Sequence, residues 1–252
     1  MYNEILKIGP FTIHGYGLMI GIGVIFALIM ADTRARKKDF DVDFVYNVSF
    51  IALLFGFIGA KLLYCIVEIE EVIRNPLEIF SGSGFVVYGG IIGGILAAGI
   101  YCKKKKVNFL RFFDFAVPSV AVAQGFGRIG CFLAGCCYGR ETNAPIGIAF
   151  RASTMAPNGI ALIPTQLFSS TGDFLLALIL IVYARKDRKA GKVSGLYLML
   201  YSLGRFIIEF FRADERGHVG SLSTSQFIAL LLLLLGLLLF FKSQLSFFNR
   251  EK

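Results

Sequence analysis

The sequence predicts an all-α polytopic membrane protein: seven transmembrane helices with a small extracytoplasmic loop region. Three observations carry that prediction. Hydrophobic residues make up 56% of the 252-residue chain and charged residues only 17%, against about 25% charged in an ordinary soluble domain. Apolar runs recur at about residues 15–33, 44–66, 85–101, 112–137, 165–184, 193–211 and 224–241, each near the ~20 residues that cross ~30 Å of hydrocarbon. The loops between these runs alternate in charge. No stretch reads as a linker, so residues 1–252 are expected to form a single integral-membrane domain.

Each span has its own boundary signals. Met1 to Pro10 lacks a basic start followed by an apolar core, so no cleavable signal peptide is expected and the first span directs insertion. Arg34, Arg36, Lys37 and Lys38 close that span. The second runs into an acidic loop, Glu68, Glu70, Glu71 and Glu78, with Asn75-Pro76 and Ser81-Gly82-Ser83-Gly84 as turn-formers. The third opens at Tyr88-Gly89-Gly90 and ends at Lys103 to Lys106, and Arg111 leads into the fourth. Residues 138–164 then hold Pro145, Pro157 and Asn158-Gly159, which predict a folded loop or short strands. The fifth span starts after Pro164, and Arg185, Lys186, Arg188, Lys189 and Lys192 join it to the sixth. Lys242, Arg250 and Lys252 follow the seventh.

All the basic clusters fall on one side, which the positive-inside rule makes cytoplasmic. The N-terminus is then outside and the C-terminus inside. The same distribution argues against nucleic acid as the partner that a net charge of +9 invites. The partner of such a surface is the lipid bilayer.

Arg128 lies within the apolar stretch from Val120 to Gly135. A charge at such a depth costs roughly 2.5–3.5 kcal/mol on insertion scales, and it marks a functional position unless a partner explains it. The sixth run ends Gly204-Arg205-Phe206-Ile207-Ile208-Glu209-Phe210-Phe211-Arg212. Arg205 and Glu209 are four residues apart and Arg212 three further, so all three share one helix face. One reading is an internal ion pair that seals a helix contact. The other is an anion site in which Glu209 orients an arginine. Both spans run outward from the basic side, so Arg128 and Arg205 both approach the outer half. Phosphate is the matching anion, because guanidinium forks fit its oxygens bidentately.

Other positions are more evenly balanced. Gly89 and Gly90 sit at a helix N-terminus, where free N–H groups suit an anion, whereas small residues also serve helix packing. Tyr16, in His14-Gly15-Tyr16-Gly17, is either an interfacial aromatic anchor or a site residue. Gln166, in Pro164-Thr165-Gln166-Leu167, reads first as helix initiation and second as a substrate contact. Asp114, near the inner start of the fourth span, suits the dipole of its own helix. The five cysteines are Cys65, Cys102, Cys131, Cys136 and Cys137. Cys131-x4-Cys136-Cys137 lacks the paired spacing of a zinc site. No metal is expected, and the cysteines read as small packing residues. A disulfide at the outer face stays open.

These motifs, in this order, resemble the bacterial prolipoprotein diacylglyceryl transferase family. The resemblance rests on His14-Gly15-Tyr16-Gly17-Leu18-Met19, Tyr88-Gly89-Gly90, Asp114, Gly127-Arg128-Ile129-Gly130, Pro164-Thr165-Gln166-Leu167 and the segment from Gly204 to Arg212, and it covers nearly the whole chain. It implies a transferase of the bacterial cytoplasmic (inner) membrane, acting in lipoprotein biosynthesis without a cofactor. Such an enzyme moves the diacylglyceryl group of phosphatidylglycerol to the lipobox cysteine thiol of a prolipoprotein. By the same resemblance Arg128 and Arg205 hold the phosphate and Glu209 orients Arg205. Tyr16, Gly89 and Gly90 shape the headgroup site, with Gln166 and Arg212 as further substrate-binding positions. Tyr88 stands where the family usually carries a histidine, a candidate base. Cys131, Ala134 and Cys136 stand where it carries asparagine, asparagine and glutamate. His14 and His218 are candidates for the displaced base. The alternatives are a lipid-binding or lipid-translocating protein, a related transferase with another acceptor, and a structural bundle with buried ion pairs.

Overall fold

The computed structural model describes residues 4–8, 11–38, 40–80, 84–214 and 217–248. The turn residues Ser81, Gly82 and Ser83 and the basic residues Arg250 and Lys252 lie outside them. Helices dominate: α1 (Gly15–Lys37), α2 (Val42–Val67), α3 (Ile69–Arg74), α4 (Val87–Lys104), α5 (Phe109–Ala134), α6 (Thr165–Tyr183), α7 (Lys192–Glu209) and α8 (Thr224–Phe248). Among the described residues five of them, α1, α2, α5, α6 and α8, are long and apolar enough to cross a membrane. The chain is therefore an all-α, multi-pass membrane protein. Helices α4 and α7 occupy the other two predicted runs. Each is 18 residues long, and charges lie within that length: Lys103 and Lys104 in α4, and Lys192, Arg205 and Glu209 in α7.

The chain divides into two compact units, Ala31–Phe112 and Met1–Met30 with Phe113–Lys252. The smaller unit is built on α2 and α4. Asp41 caps α2, its carboxylate accepting from the Asp43 amide at 3.0 Å. Gly59 of α2 and Gly89 of α4 meet backbone to backbone. A Cβ on Gly89 would collide with the Gly59 carbonyl oxygen, and one on Gly59 with the Gly89 carbonyl oxygen. Such small-residue seams let helices approach where lipid offers no hydrophobic drive for association. The short α3 and a 3-10 turn at Pro76–Phe80 follow α2, in the segment where Asn75-Pro76 predicts a turn.

In the larger unit α5, α6 and α7 share a core of Val117, Ala121, Leu176, Ala177, Leu180, Val193, Tyr197 and Leu198. Asp114 has a different task from the one its position suggests. Its carboxylate accepts the Gly191 and Ser194 amides, each at 2.7 Å, and so caps α7 rather than its own helix. Gly191 there adopts φ +91°. Residues 138–164 fold as predicted into a loop with short strands, β3 (Ile148–Ala149) pairing antiparallel with β4 (Ala161–Leu162). Phe150, Ala156 and Leu162 are buried there beside Phe132 and Tyr138. The loop is stitched to the end of α7 by the Arg140 amide donating to the Phe211 carbonyl and the Ala213 amide to the Tyr138 carbonyl.

Candidate active site

Arg128 on α5 and Arg205 on α7 line one cavity of about 100 Å³, together with Asp173 and Phe168 of α6 and Tyr201 and Ile208 of α7. The two guanidiniums lie within electrostatic reach of each other. Their environments differ. Arg205 is held on both edges: one nitrogen pairs with Glu209 at 2.8 Å and the other donates to Ser225 at 2.9 Å. Glu209 is fixed in turn, accepting the Ser223 hydroxyl at 2.8 Å. The i,i+4 spacing supplies the pair, and the start of α8 supplies the serine. Among the described residues none hydrogen-bonds or ion-pairs with Arg128. Its donor fork is left for whatever enters the cavity.

Asp173 changes the charge count. It is 6% exposed and lies within electrostatic reach of both arginines. With Glu209, the two arginines and Asp173 ionised, the cluster is neutral. The sequence offered a signal for Asp173 that went unused: it is an acid inside an apolar run, seven residues after Gln166 on the same helix face.

Arg212 lies beyond the end of α7 and does not extend the Arg205–Glu209 pair. It grips Asp214 bidentately, at 3.0 and 2.8 Å. These two line a second, open cavity of about 500 Å³ with Arg140, Glu209, His218 and Ser223. Burial pushes the Asp214 carboxyl up, and Arg212 opposes it. His218 begins strand β5 (His218–Val219) and is exposed; His14, at the end of strand β2 (Phe11–His14), is exposed as well.

Gln166 is 1% exposed, and its side-chain nitrogen donates to the Cys136 carbonyl at 2.7 Å. Thr165 donates to the Cys137 carbonyl, also at 2.7 Å. Beyond starting α6, Gln166 thus holds the turn that follows α5. That turn gathers the cysteines that spacing separates: the sulfurs of Cys131, Cys136 and Cys137 all lie within 4.8 Å of one another. Arg212 lies within electrostatic reach of Cys137. Tyr16 of α1 lies within electrostatic reach of these cysteines and of Arg128, with its ring against Gly130 of α5.

Tyr88, Gly89 and Gly90 belong to the smaller unit. Tyr88 is exposed and Gly89 buried in the α2–α4 seam. The amides of Gly89 and Gly90, expected to be free for an anion, both donate to the Val86 carbonyl, at 3.0 and 3.4 Å. Small size at the seam is the use of Gly89 that the structure displays.

Fold and site together define a multi-pass helical membrane protein with two arginines on one cavity lined by α5, α6 and α7. A profile of the prolipoprotein diacylglyceryl transferase family matches residues 3–242. The phosphatidylglycerol–prolipoprotein diacylglyceryl transferase of Clostridium tetani is 51% identical over 230 residues, covering 90% of this chain and 92% of its own. A second transferase of that name, from Clostridium perfringens, is 47% identical over 230 residues, covering 90% of each chain. One from Finegoldia magna is 33% identical over 228 residues, covering 89% of this chain and 88% of its own. The chain belongs to the prolipoprotein diacylglyceryl transferase family.

Proposed function

We propose that this transferase moves the diacylglyceryl group of phosphatidylglycerol to the lipobox cysteine thiol of a prolipoprotein, releasing glycerol phosphate. The observation that carries the site assignment is the cavity where Arg128, with an unused donor fork, faces Arg205, braced by Glu209 and Ser225. Breaking the glyceryl carbon–oxygen bond leaves negative charge on a departing phosphate. Donors already oriented toward that charge stabilise it without reorganising. Arg128 and Arg205 are the catalytic pair and Glu209 is the positioning residue for Arg205. Tyr16 borders the headgroup. Arg212 lines the outer opening through which a peptide would approach, and Gln166 acts through the cysteine turn. Tyr88, Gly89 and Gly90 take their place at the substrate from the family resemblance alone.

The protein works as a single integral-membrane domain of seven spans, counting α4 and α7, in the bacterial cytoplasmic membrane. The lysine and arginine loops put its N-terminus outside and its C-terminus in the cytoplasm. Its partners are phosphatidylglycerol, prolipoproteins and the surrounding bilayer, and nucleic acid has no part. The test is one assay: purified protein, phosphatidylglycerol labelled in its acyl chains, and a lipobox peptide. Thioether product from the parent, absent with Arg128→Ala and Arg205→Ala, supports the assignment. Lipid binding without any product would replace it with a binding or translocating function.

A further inference from the structure

Three cysteines close together are a donor set, and their surroundings look constructed. Cys131 sits on α5 one turn beyond Arg128, and Cys136 and Cys137 follow the helix end. Gly135 has φ +78° and Cys137 φ +63°, so two left-handed residues bracket Cys136 and fold the chain back over Cys131. At Cys137 that conformation carries a side chain, which L residues rarely place there. Thr165 and Gln166, each 1% exposed, tie down the carbonyls of Cys137 and Cys136. Strain held by buried hydrogen bonds is characteristic of a functional turn, and outer hydrogen bonds of this kind support ligand shells.

The spacing suits a thiophilic cation. Zinc–sulfur bonds of ~2.3 Å in a tetrahedron place the sulfurs ~3.8 Å apart. From separations within 4.8 Å, side-chain rotation closes the remaining gap of about 1 Å. Zinc held by three protein ligands keeps its fourth position for a substrate. Three thiolates around Zn²⁺ leave one negative charge, and Arg128 and Arg212 stand within electrostatic reach of the cluster. The proposed reaction alkylates a thiol, and such a thiol must first lose its proton. Among the described residues Asp173 is the one carboxylate that lines the Arg128 cavity, and Tyr88 stands where the family resemblance places a histidine.

We propose that Cys131, Cys136 and Cys137 form a three-thiolate zinc site whose open fourth position takes the thiol of the acceptor cysteine. This rests on the transferase assignment above. A thiol that coordinates zinc is deprotonated outright, and its proton leaves to water. The bound sulfur attacks the glyceryl methylene carbon. The sulfur–carbon bond forms as the carbon–oxygen bond breaks, and that electron pair departs with glycerol phosphate, whose charge meets Arg128 and Arg205. The product is a neutral thioether, a weak zinc ligand, which frees the position for the next acceptor.

The test uses the full chain in detergent, purified under reductant, and begins with metal content by mass spectrometry. About one zinc per chain is expected in the parent and in Cys65→Ala, and much less in Cys131→Ala, Cys136→Ala and Cys137→Ala, with circular dichroism confirming that each stays helical. Cobalt exchanged into the site should show thiolate-to-metal charge transfer. Its ligand-field bands should shift on adding a lipobox peptide and stay fixed with the cysteine-to-serine peptide. Removing zinc should slow peptide lipidation about 100-fold, the scale of a lost general base, and zinc should restore it. Absence of zinc, or cobalt bands that ignore the peptide thiol, overturns the inference while peptide lipidation continues. A loaded site that shifts with the peptide but never yields thioether overturns the transferase assignment instead.

Discussion

The arginine cavity between α5, α6 and α7 and the glycine seam between α2 and α4 are two solutions to burial in an apolar layer. The seam is made of what is missing: Gly59 and Gly89 touch because neither has a side chain. The cavity is made of what is held: Arg205 is fixed by Glu209 and Ser225, and Arg128 is left with its donors unused. The seam is closed by the two backbones themselves. The cavity presents a donor fork that an anion can take. Glycine is costly inside an ordinary helix and arginine inside a bilayer, and here each marks a different purpose, approach in one region and recognition in the other.

The sharpest way to break that contrast is Arg128→Ala. It should lower the transfer rate about 100–1,000-fold, the range for losing one oriented donor to a developing anion. Thermal stability should hardly change, because no internal hydrogen bond is lost. A large fall in Tm would make Arg128 structural, like the seam. Gly89→Leu should do the reverse, lowering stability by roughly 1–3 kcal/mol through overpacking, read as a lower midpoint in detergent unfolding. Glu209→Gln keeps a partner for Ser223 but removes the charge opposite Arg205. Its kcat should fall about 10–150-fold, from the roughly 1.5–3 kcal/mol of a hydrogen bond to a charged group, with KM for the lipid nearly constant. Asp114→Asn should cost about 1 kcal/mol of stability, the usual worth of a helix cap, with little effect on rate once folded.

The contrast also explains what the sequence disclosed. Arg205 and Glu209 were legible as a pair because one helix carries both at i,i+4. Arg128 was legible because a lone charge in an apolar run needs a reason. Ser223 and Ser225 were not, since they reach Glu209 and Arg205 from another element, across a short hairpin with no periodicity. The two balanced readings of Gly89 were separated only by the carbonyl opposite it. The cysteine cluster was hidden for a backbone reason: paired spacing assumes ordinary turns, and two left-handed residues in three bring Cys136 and Cys137 back upon Cys131. Each predicted apolar run overlaps one helix, because length and apolarity are written in composition. Length and apolarity alone qualify five helices, since α4 and α7 trade hydropathy for charges at their ends and at the site.

The Asp114 cap on α7 has a bearing on how the chain is made. Its partners Gly191 and Ser194 are 77 and 80 residues downstream. At ~5–20 residues per second the ribosome needs about 4–16 s to supply them. Through that interval α5 carries an acid whose native donors have not been synthesised. Until α7 arrives, the nascent bundle has a reason to keep this end of α5 near water or beneath an assisting insertase. Assembly of the arginine cavity is thereby tied to a late event in biogenesis, the delivery of α7, which brings both the amides that Asp114 awaits and Arg205 itself.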